Sequence, residues 1–368
     1  MGDICAFLSG GTPKIDIKEY WDGTIPFVSA ISMHNTYISD SNLHISEKGL
    51  KNGSKLLKKN NLLLLVRGSM LWKSIPVCLN ESDVAFNQDV KGIIPNDTTN
   101  NKFLLYWLKS KEQRLKYMVT GTGLGAGKLD TNDLLSMSVY APSMNEQDKI
   151  AKLLSLLDKR IATQNKIIED LKELKCAIIE KVYSEIQGKE YSYGQLFDVV
   201  NERNKQMEYS NILSASQEKG MVNRDDLNLD IQFERSNINT YKIVKKGDYV
   251  IHLRSFQGGF AFSDKLGVCS PAYTILRPNS ILEYGYLSNY FTSQRFIKSL
   301  VLVTYGIRDG RSINVEEWLR MKITIPPKEH QQYIVKVIGT FERKIEDEEA
   351  YAAQLSIQKQ YLLRKMFV

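Results

Sequence analysis

Several kinds of chemistry are missing from this chain. Its four cysteines, Cys5, Cys78, Cys176 and Cys269, are scattered and form no CxxC pair. That argues against a disulfide framework or a zinc knuckle, and reads as reduced, buried thiols of a cytosolic protein. The four histidines, His34, His44, His252 and His330, lie far apart with no HxxxH or HExxH spacing, so no metal site is expected. His252, inside an apolar stretch, reads as a satisfied core histidine. The longest apolar run, Leu62 to Val66, is too short to cross a membrane. The opening MGDICAFLSGG has neither the basic flank nor the apolar run of a signal peptide. There is no Gly-x-Ser-x-Gly elbow, no amino-methyltransferase signature of a polar residue before Pro-Pro-aromatic, and no carboxylate-and-lysine set of the nuclease type.

One glycine-rich run imitates a phosphate loop. In Gly121-Thr122-Gly123-Leu124-Gly125-Ala126-Gly127-Lys128, Thr122 takes the first Gly position of a P-loop and Leu129 follows the Lys, so the motif is incomplete. The run also follows an amphipathic helix rather than a strand. It reads as a flexible loop, or as a loop whose backbone and Lys128 approach phosphates.

What is present is repetition. The 368 residues suffice for two or three domains, and 43% hydrophobic with 25% charged residues is ordinary for a folded soluble protein. A net charge of +7 suits a polyanionic partner without proving one. Ala141–Tyr183 returns as Ile325–Phe367 without a gap, each residue 184 positions after its counterpart: Pro142 and Pro326, Gln147 and Gln331, Ile150 and Ile334. Each copy reads as one long helix that begins just after a proline. Ile150, Leu154, Leu157 and Ile161 recur at helical spacing in the first copy, and Ile334, Ile338, Phe341 and Ile345 in the second. Such a stripe, sustained over about 37 residues or ~55 Å, indicates a coiled-coil seam whose obvious partner is the other copy, paired antiparallel.

The segments between the helices repeat more loosely. Ile25–Ile31 and Leu62–Val66 in the first, and Lys242–Leu253, entered through a Gly-Asp turn, and Gly267–Leu276 in the second, read as strands. Asn100–Met118 and Tyr284–Leu300 read as matching amphipathic helices. The expected fold is α+β: two strand-rich domains, residues 1–140 and 188–324, joined by long spacer helices at 141–187 and 325–368, with pseudo-two-fold symmetry.

Arg for guanine, Asn or Gln for adenine, and Lys or Arg for phosphate are the side chains of DNA reading. They gather in the turns of both domains: Lys14, Arg67, Lys73, Gln88 and Lys128 in the first, Arg203, Lys205, Arg254, Gln257, Arg308 and Arg311 in the second. Any one of them reads equally as a surface charge or half of an ion pair. Trp21 reads as a packing residue.

A domain opening with Gly2-Asp3-Ile4, then a helix carrying Pro142, Glu146-Gln147, Ile150 and Leu153-Leu154, then both again with Pro326, Gln331 and Ile334, resembles the specificity subunit of type I restriction-modification systems. The run SGGTPK…YWDGTIPFVSAISM is similar to that family's target-recognition domains. His330 stands where the first copy has Glu146. A short N-terminal segment common in the family is expected to be missing. The resemblance implies a non-catalytic, cytoplasmic subunit with each domain reading one half of a bipartite double-stranded DNA site. The helices would fix the spacing and dock two methylation subunits, with restriction subunits joining them. S-adenosylmethionine, ATP and magnesium would belong to those partners, and no membrane is involved. A subunit of a type IIB-like system and a coiled-coil interaction protein that never touches DNA are the alternatives. A stand-alone nuclease or methyltransferase fails on the absent motifs.

Overall fold

The computed structural model describes residues 1–123, 125–216, 219–226, 235–252, 259–305 and 312–367. The chain divides into two compact units, residues 1–165 with 350–368, and residues 166–349. The helices Met144–Ser184 and Lys328–Met366 each contribute one part to each unit.

The first unit is built on a five-stranded sheet in the order Cys5–Ser9, Val90–Pro95, Leu62–Leu65, Val77–Asn80, Tyr37–Ile38. Leu62–Leu65 lies at its centre, paired on both edges and fully buried, which is why four consecutive leucines stand there without alternation. The helix Asn101–Ser110 covers this core with Phe103, Leu104, Trp107 and Leu108. Its Asn100 cap accepts from the Phe103 N–H at 2.9 Å. The helix expected through Met118 instead breaks at Lys111, whose N–H is shared between the Trp107 and Leu108 carbonyls, and resumes as Glu112–Tyr117. The break turns Leu115 into the core.

The second unit repeats the central four strands in the order Phe197–Val200, Thr274–Pro278, Tyr249–Ile251, Phe260–Phe262. Even the register recurs: Cys5 faces Pro95 in the first sheet, and Phe197 faces Pro278 in the second. The turn into the central strand is also shared. Asn60 in Lys58-Lys59-Asn60-Asn61 has φ 66°, and Gly247 in Lys245-Lys246-Gly247-Asp248 has φ 94°.

That turn is the expected Gly-Asp entry to the strand, and it also divides the expected run. Lys242–Leu253 is not a single strand but Lys242–Val244 and Tyr249–Ile251, which join different sheets on either side of Gly247. Gly267–Leu276 is likewise divided, into Gly267–Cys269 and Thr274–Pro278. Tyr284–Leu300 also departs from a single helix. Its first turn is broken at Gly285, φ 73°, and the helix Gln294–Ser299 starts only where Ser293 caps it. Cys5, Cys78 and Cys269 are buried as expected, whereas Cys176 is exposed on its helix.

Each long helix turns its apolar stripe inward. Leu154, Ile338 and Ile345 are buried, and Ile150, Leu157, Ile161, Ile334 and Phe341 are half-buried. In the first unit, Ile150, Ala151 and Leu154 share a core with Leu362, Leu363, Met366 and Phe367. In the second, Ile179 and Tyr183 share one with Ile334, Val335 and Ile338. Among the described residues no helix is long and apolar enough to cross a membrane.

Candidate nucleic-acid interface and the helix joints

The first unit draws its five sequence candidates into one backbone neighbourhood. Gly10 and Gly11 press against the end of the strand Val84–Phe86. The Gly11 N–H donates to the Phe86 carbonyl at 3.0 Å, and a Cβ on Gly10 would stand 2.2 Å from that same oxygen. Two glycines are required there, since a Cβ on Gly11 would stand 2.4 Å from the Gly53 carbonyl oxygen. Thr12 next to them donates its hydroxyl to Gln88 Oε1 at 2.7 Å, and exposed Lys14 follows two residues on. Trp21 donates its Nε1–H to the Lys14 carbonyl and sets its ring edge-on to Phe27 at 5.2 Å, a packing role.

Beyond Gln88, the Asp89 carbonyl accepts from the N–H groups of Val66 and Arg67. Arg67 is exposed and pairs across strands with Lys128, so the end of the glycine-rich run is the middle strand of a three-stranded ribbon. Trp72 holds that ribbon by donating Nε1–H to the Gly125 carbonyl at 3.1 Å, and exposed Lys73 follows it. Lys128 also lies 3.5 Å from Asp130, an exposed pair worth little by itself. Arg67, Lys73, Lys128, Gln88 and Lys14 thus lie on loops tied to one another by main-chain and indole bonds. Trp72 was not singled out in the sequence. Its only signal there is its place five residues after Arg67.

In the second unit, Arg203 and Lys205 are exposed, with Arg203 bridged to Lys242. Arg254, Gln257, Arg308 and Arg311 lie outside the described residues. On either side of residues 306–311, Thr304–Tyr305 pairs antiparallel with Ser312–Ile313. That pair stands where Thr120–Gly121 and Gly127–Lys128 stand in the first unit.

Each domain meets its helix at a buried glutamine. Gln147 is 1% exposed. Its Oε1 accepts the Asn100 N–H at 2.8 Å, and its Nε2 donates to the carbonyls of Thr98 at 3.0 Å and Pro142 at 2.9 Å. Gln331, also 1% exposed, accepts the Glu283 N–H at 2.7 Å and donates to Ile281 and Pro326 at 3.0 Å each. Every partner atom belongs to the main chain. The next residue adds a side-chain pair of interchanged chemistry: Asn100 donates to Asp148 at 2.8 Å, and Gln332 donates to Glu283 at 3.1 Å.

The first turn of the helix explains why His330 replaces Glu146. In the first copy the Ser143 hydroxyl donates to Glu146 at 3.3 Å. The second copy has Pro327 in place of Ser143, so no hydroxyl is present for a residue at 330 to answer.

Further along, Asp158 accepts the Tyr106 hydroxyl at 2.8 Å and an ion pair from Lys359. The positions 184 residues away, Glu342 and Lys175, form the corresponding pair at 3.0 Å. Beside the first pair, Lys109 donates to Thr36 Oγ1 at 2.6 Å, and burial, followed by the charge of Lys359, pushes its ammonium down to about 8. Burial likewise raises the Tyr106 hydroxyl, so it stays a neutral donor to Asp158.

A family model for the type I restriction modification DNA specificity domain matches the chain twice, over residues 1–173 and 188–356. The chain belongs to that family. It is similar to the EcoR124I/EcoR124II specificity subunit of Escherichia coli, with 30% identity over 173 residues, 46% of this chain and 42% of that one. It is 27% identical over 184 residues to the MjaVIII specificity subunit of Methanocaldococcus jannaschii, covering 50% and 41% of the two chains. The chain therefore spans about two fifths of the length of these curated relatives.

Among solved structures, the S subunit of a type I restriction-modification system from M. genitalium superposes with TM-score 0.58 at 15% identity, covering 100% of this chain and 94% of that one. A chain solved for the complex assembly and conformational transition of the type I R-M system gives TM-score 0.59 at 14% identity, covering 100% and 96%. At such identity these two likenesses are ones of fold.

Proposed function

We propose that this chain is the DNA-specificity subunit of a type I restriction-modification complex, with each domain reading one half of a bipartite site. The observation that carries the reading is the double match, once per half, on two sheets of the same register seated on their helices through the same glutamine joint. In this reading residues 1–140 and 188–324 are the recognition domains. Arg67, Lys128, Lys73, Gln88 and Lys14 face one half-site. Arg203 and Lys205, with Arg254, Gln257, Arg308 and Arg311, face the other.

The helices Met144–Ser184 and Lys328–Met366 form the spacer as an antiparallel coiled coil. A helix of 41 residues is about 60 Å long, the length of about 18 base-pair steps. The chain itself performs no catalysis. Two methylation subunits and the restriction subunits assemble on it in the cytoplasm, and S-adenosylmethionine, ATP and magnesium are held by those partners.

The test is methylation sequencing of a host that expresses the chain with its methylation subunit, together with gel shifts at several salt concentrations. A methylated split motif is the expected result. Inserting seven residues into both long helices should lengthen the gap and leave the half-sites unchanged. Altered half-site sequences, or the same methylome without the chain, would overturn the reading.

A further inference from the structure

Gln147 and Gln331 are more than core polar residues. A buried amide with three partners is expected in any folded protein, but the partners here are of two kinds. Two lie on the domain, in the turn before its covering segment, at Thr98 and Asn100 or Ile281 and Glu283. The third is the carbonyl of the proline that leads into the long helix, Pro142 or Pro326. One planar amide therefore ties domain to helix across the junction, with the side-chain pair Asn100–Asp148 or Glu283–Gln332 beside it.

Because only main-chain atoms are engaged, the joint survives complete replacement of the domain side chains. Thr98 and Asn100 have become Ile281 and Glu283, and the three bonds persist within about 0.1 Å of their lengths in the other copy. The neighbouring side-chain pair has changed in step, Asn100 with Asp148 and Glu283 with Gln332. Conservation of a joint between copies whose domains have diverged is what a shared angular setting requires, and what simple core filling does not.

We infer that Gln147 and Gln331 are positioning residues that fix the angle of each reading domain on its spacer helix, and so set how strictly the complex demands one gap length between half-sites. The inference rests on the proposed DNA-specificity role. Neither glutamine touches DNA. Each acts through the main chain of the turn that it grips.

The experiment uses the full chain assembled with its methylation subunit and carrying Gln147→Met, Gln331→Met or both. Met keeps the length of the side chain and loses both donors and the acceptor. Methylation is read on substrates with the cognate half-sites and gaps of the normal length or one base pair longer or shorter. The half-site sequences should stay the same, while discrimination against the wrong gap falls about tenfold for each variant, or ~1.4 kcal/mol. Leu64→Ala, a core change in the central strand of the sheet, should lower overall activity without widening the tolerated gaps. Gln147→Asn and Gln331→Asn keep the amide but shorten its reach by one methylene, so that it cannot span all three partners, and they give the same reading if a Met variant does not fold.

Hydrogen exchange on the chain without DNA provides a separate readout. The Asn100 and Glu283 amides should open in their respective variants while those of Leu62–Leu65 and Tyr249–Ile251 stay protected. Opened amides with an unchanged gap preference would overturn the inference, as would a change in the half-site bases. If the unsubstituted complex methylates no split site, the specificity reading itself fails, and the exchange data still report on the joint.

Discussion

The two units share a framework and differ in what fills it. In the first, the core is aliphatic around Leu62–Leu65, Leu104, Leu108 and Leu134. In the second, aromatic rings occupy the same places: Tyr249 for Leu62, Phe291 for Leu108, Trp318 for Leu134. Tyr193 stacks on Trp318 at 4.2 Å with 13° between planes, and Phe260 lies 5.0 Å from the same indole. Side-chain volume has been redistributed while strand register, the positive-φ turn and the glutamine joint have not. What the copies keep is bonded through the main chain, and what they exchange is packed through side chains, which tolerates substitution at constant volume.

The sharpest way to break the comparison is to empty equivalent core sites. Trp318→Ala should destabilise the second unit by about 4 kcal/mol, because a large fully buried ring is lost from a stacked cluster. Leu134→Ala should cost the first unit about 2–3 kcal/mol. Calorimetry combined with hydrogen exchange resolved to each unit measures both. Equal losses would show that the ring cluster contributes no more than leucine packing does.

Acidity separates the units next. Lys109 in the first unit is held down to about 8 from an ordinary 10.5. Between those values the unfolded chain binds more protons than the folded one, so stability rises as pH climbs through about 8 to 10.5. The rise should be about 2 kcal/mol after discounting for partial exposure. Lys109→Met should abolish it and stabilise the first unit at neutral pH. Thr292 stands at the equivalent place in the second unit, where burial lowers only the less enclosed Lys242 among the described lysines, so a smaller rise is expected there. His252 gives that unit a window of the same sign at lower pH. Burial lowers its pKa below 6.5, so its contribution is complete above 6.5 and is lost on acidification. Denaturation curves from pH 5 to 10.5 check both windows, and a flat first-unit profile above pH 8 would refute the Lys109 assignment.

The matched ion pairs give a smaller contrast. The side chains of Lys359 and Asp158 are 17% and 11% exposed, against 24% and 41% for Lys175 and Glu342. Asp158 also carries the Tyr106 hydroxyl bond, so Lys359→Met strands a more enclosed carboxylate. It should cost about 2 kcal/mol, and Lys175→Met less than about 1 kcal/mol. Double-mutant cycles with Asp158→Asn and Glu342→Gln would expose an error if the two coupling energies proved equal.

These contrasts explain what could be read in advance. The long helices and their constant offset were legible because helical periodicity and a repeated Pro–Gln spacing are local signals. The family resemblance followed from the same residues. The division of Lys242–Leu253 between two sheets was not legible, since an apolar run says nothing about which neighbour each half pairs with. The role of Gln147 and Gln331 was hidden for a related reason. Their identity stood in the sequence, but their partners are backbone atoms about 50 residues away, and main-chain acceptors leave no trace in composition. The convergence of Lys14, Gln88, Arg67 and Lys128 was invisible too, because it depends on the Gly10–Gly11 contact with Phe86 and on Trp72 holding Gly125.

The smallest effect concerns where the covering helix begins. In the first unit Asn100 caps a helix that starts at once, its side-chain Oδ1 accepting from the Phe103 N–H at 2.9 Å. In the second, Glu283 holds that place and caps nothing. The chain passes through Gly285 at φ 73°, and a helix starts only at Gln294, with Ser293 accepting from the Phe296 N–H at 3.2 Å. Ser293→Ala should therefore cost about 1 kcal/mol and fray Gln294–Ser299. Asn100→Ala should cost slightly more, because it also removes the bond to Asp148. Installing the missing cap by Glu283→Asn should not lengthen the second helix, since the left-handed backbone at Gly285 interrupts the first turn whatever precedes it. Amide exchange at residues 286–292 measures this directly. Protection gained there on Glu283→Asn would mean that the cap, and not the glycine turn, decides where the two copies part.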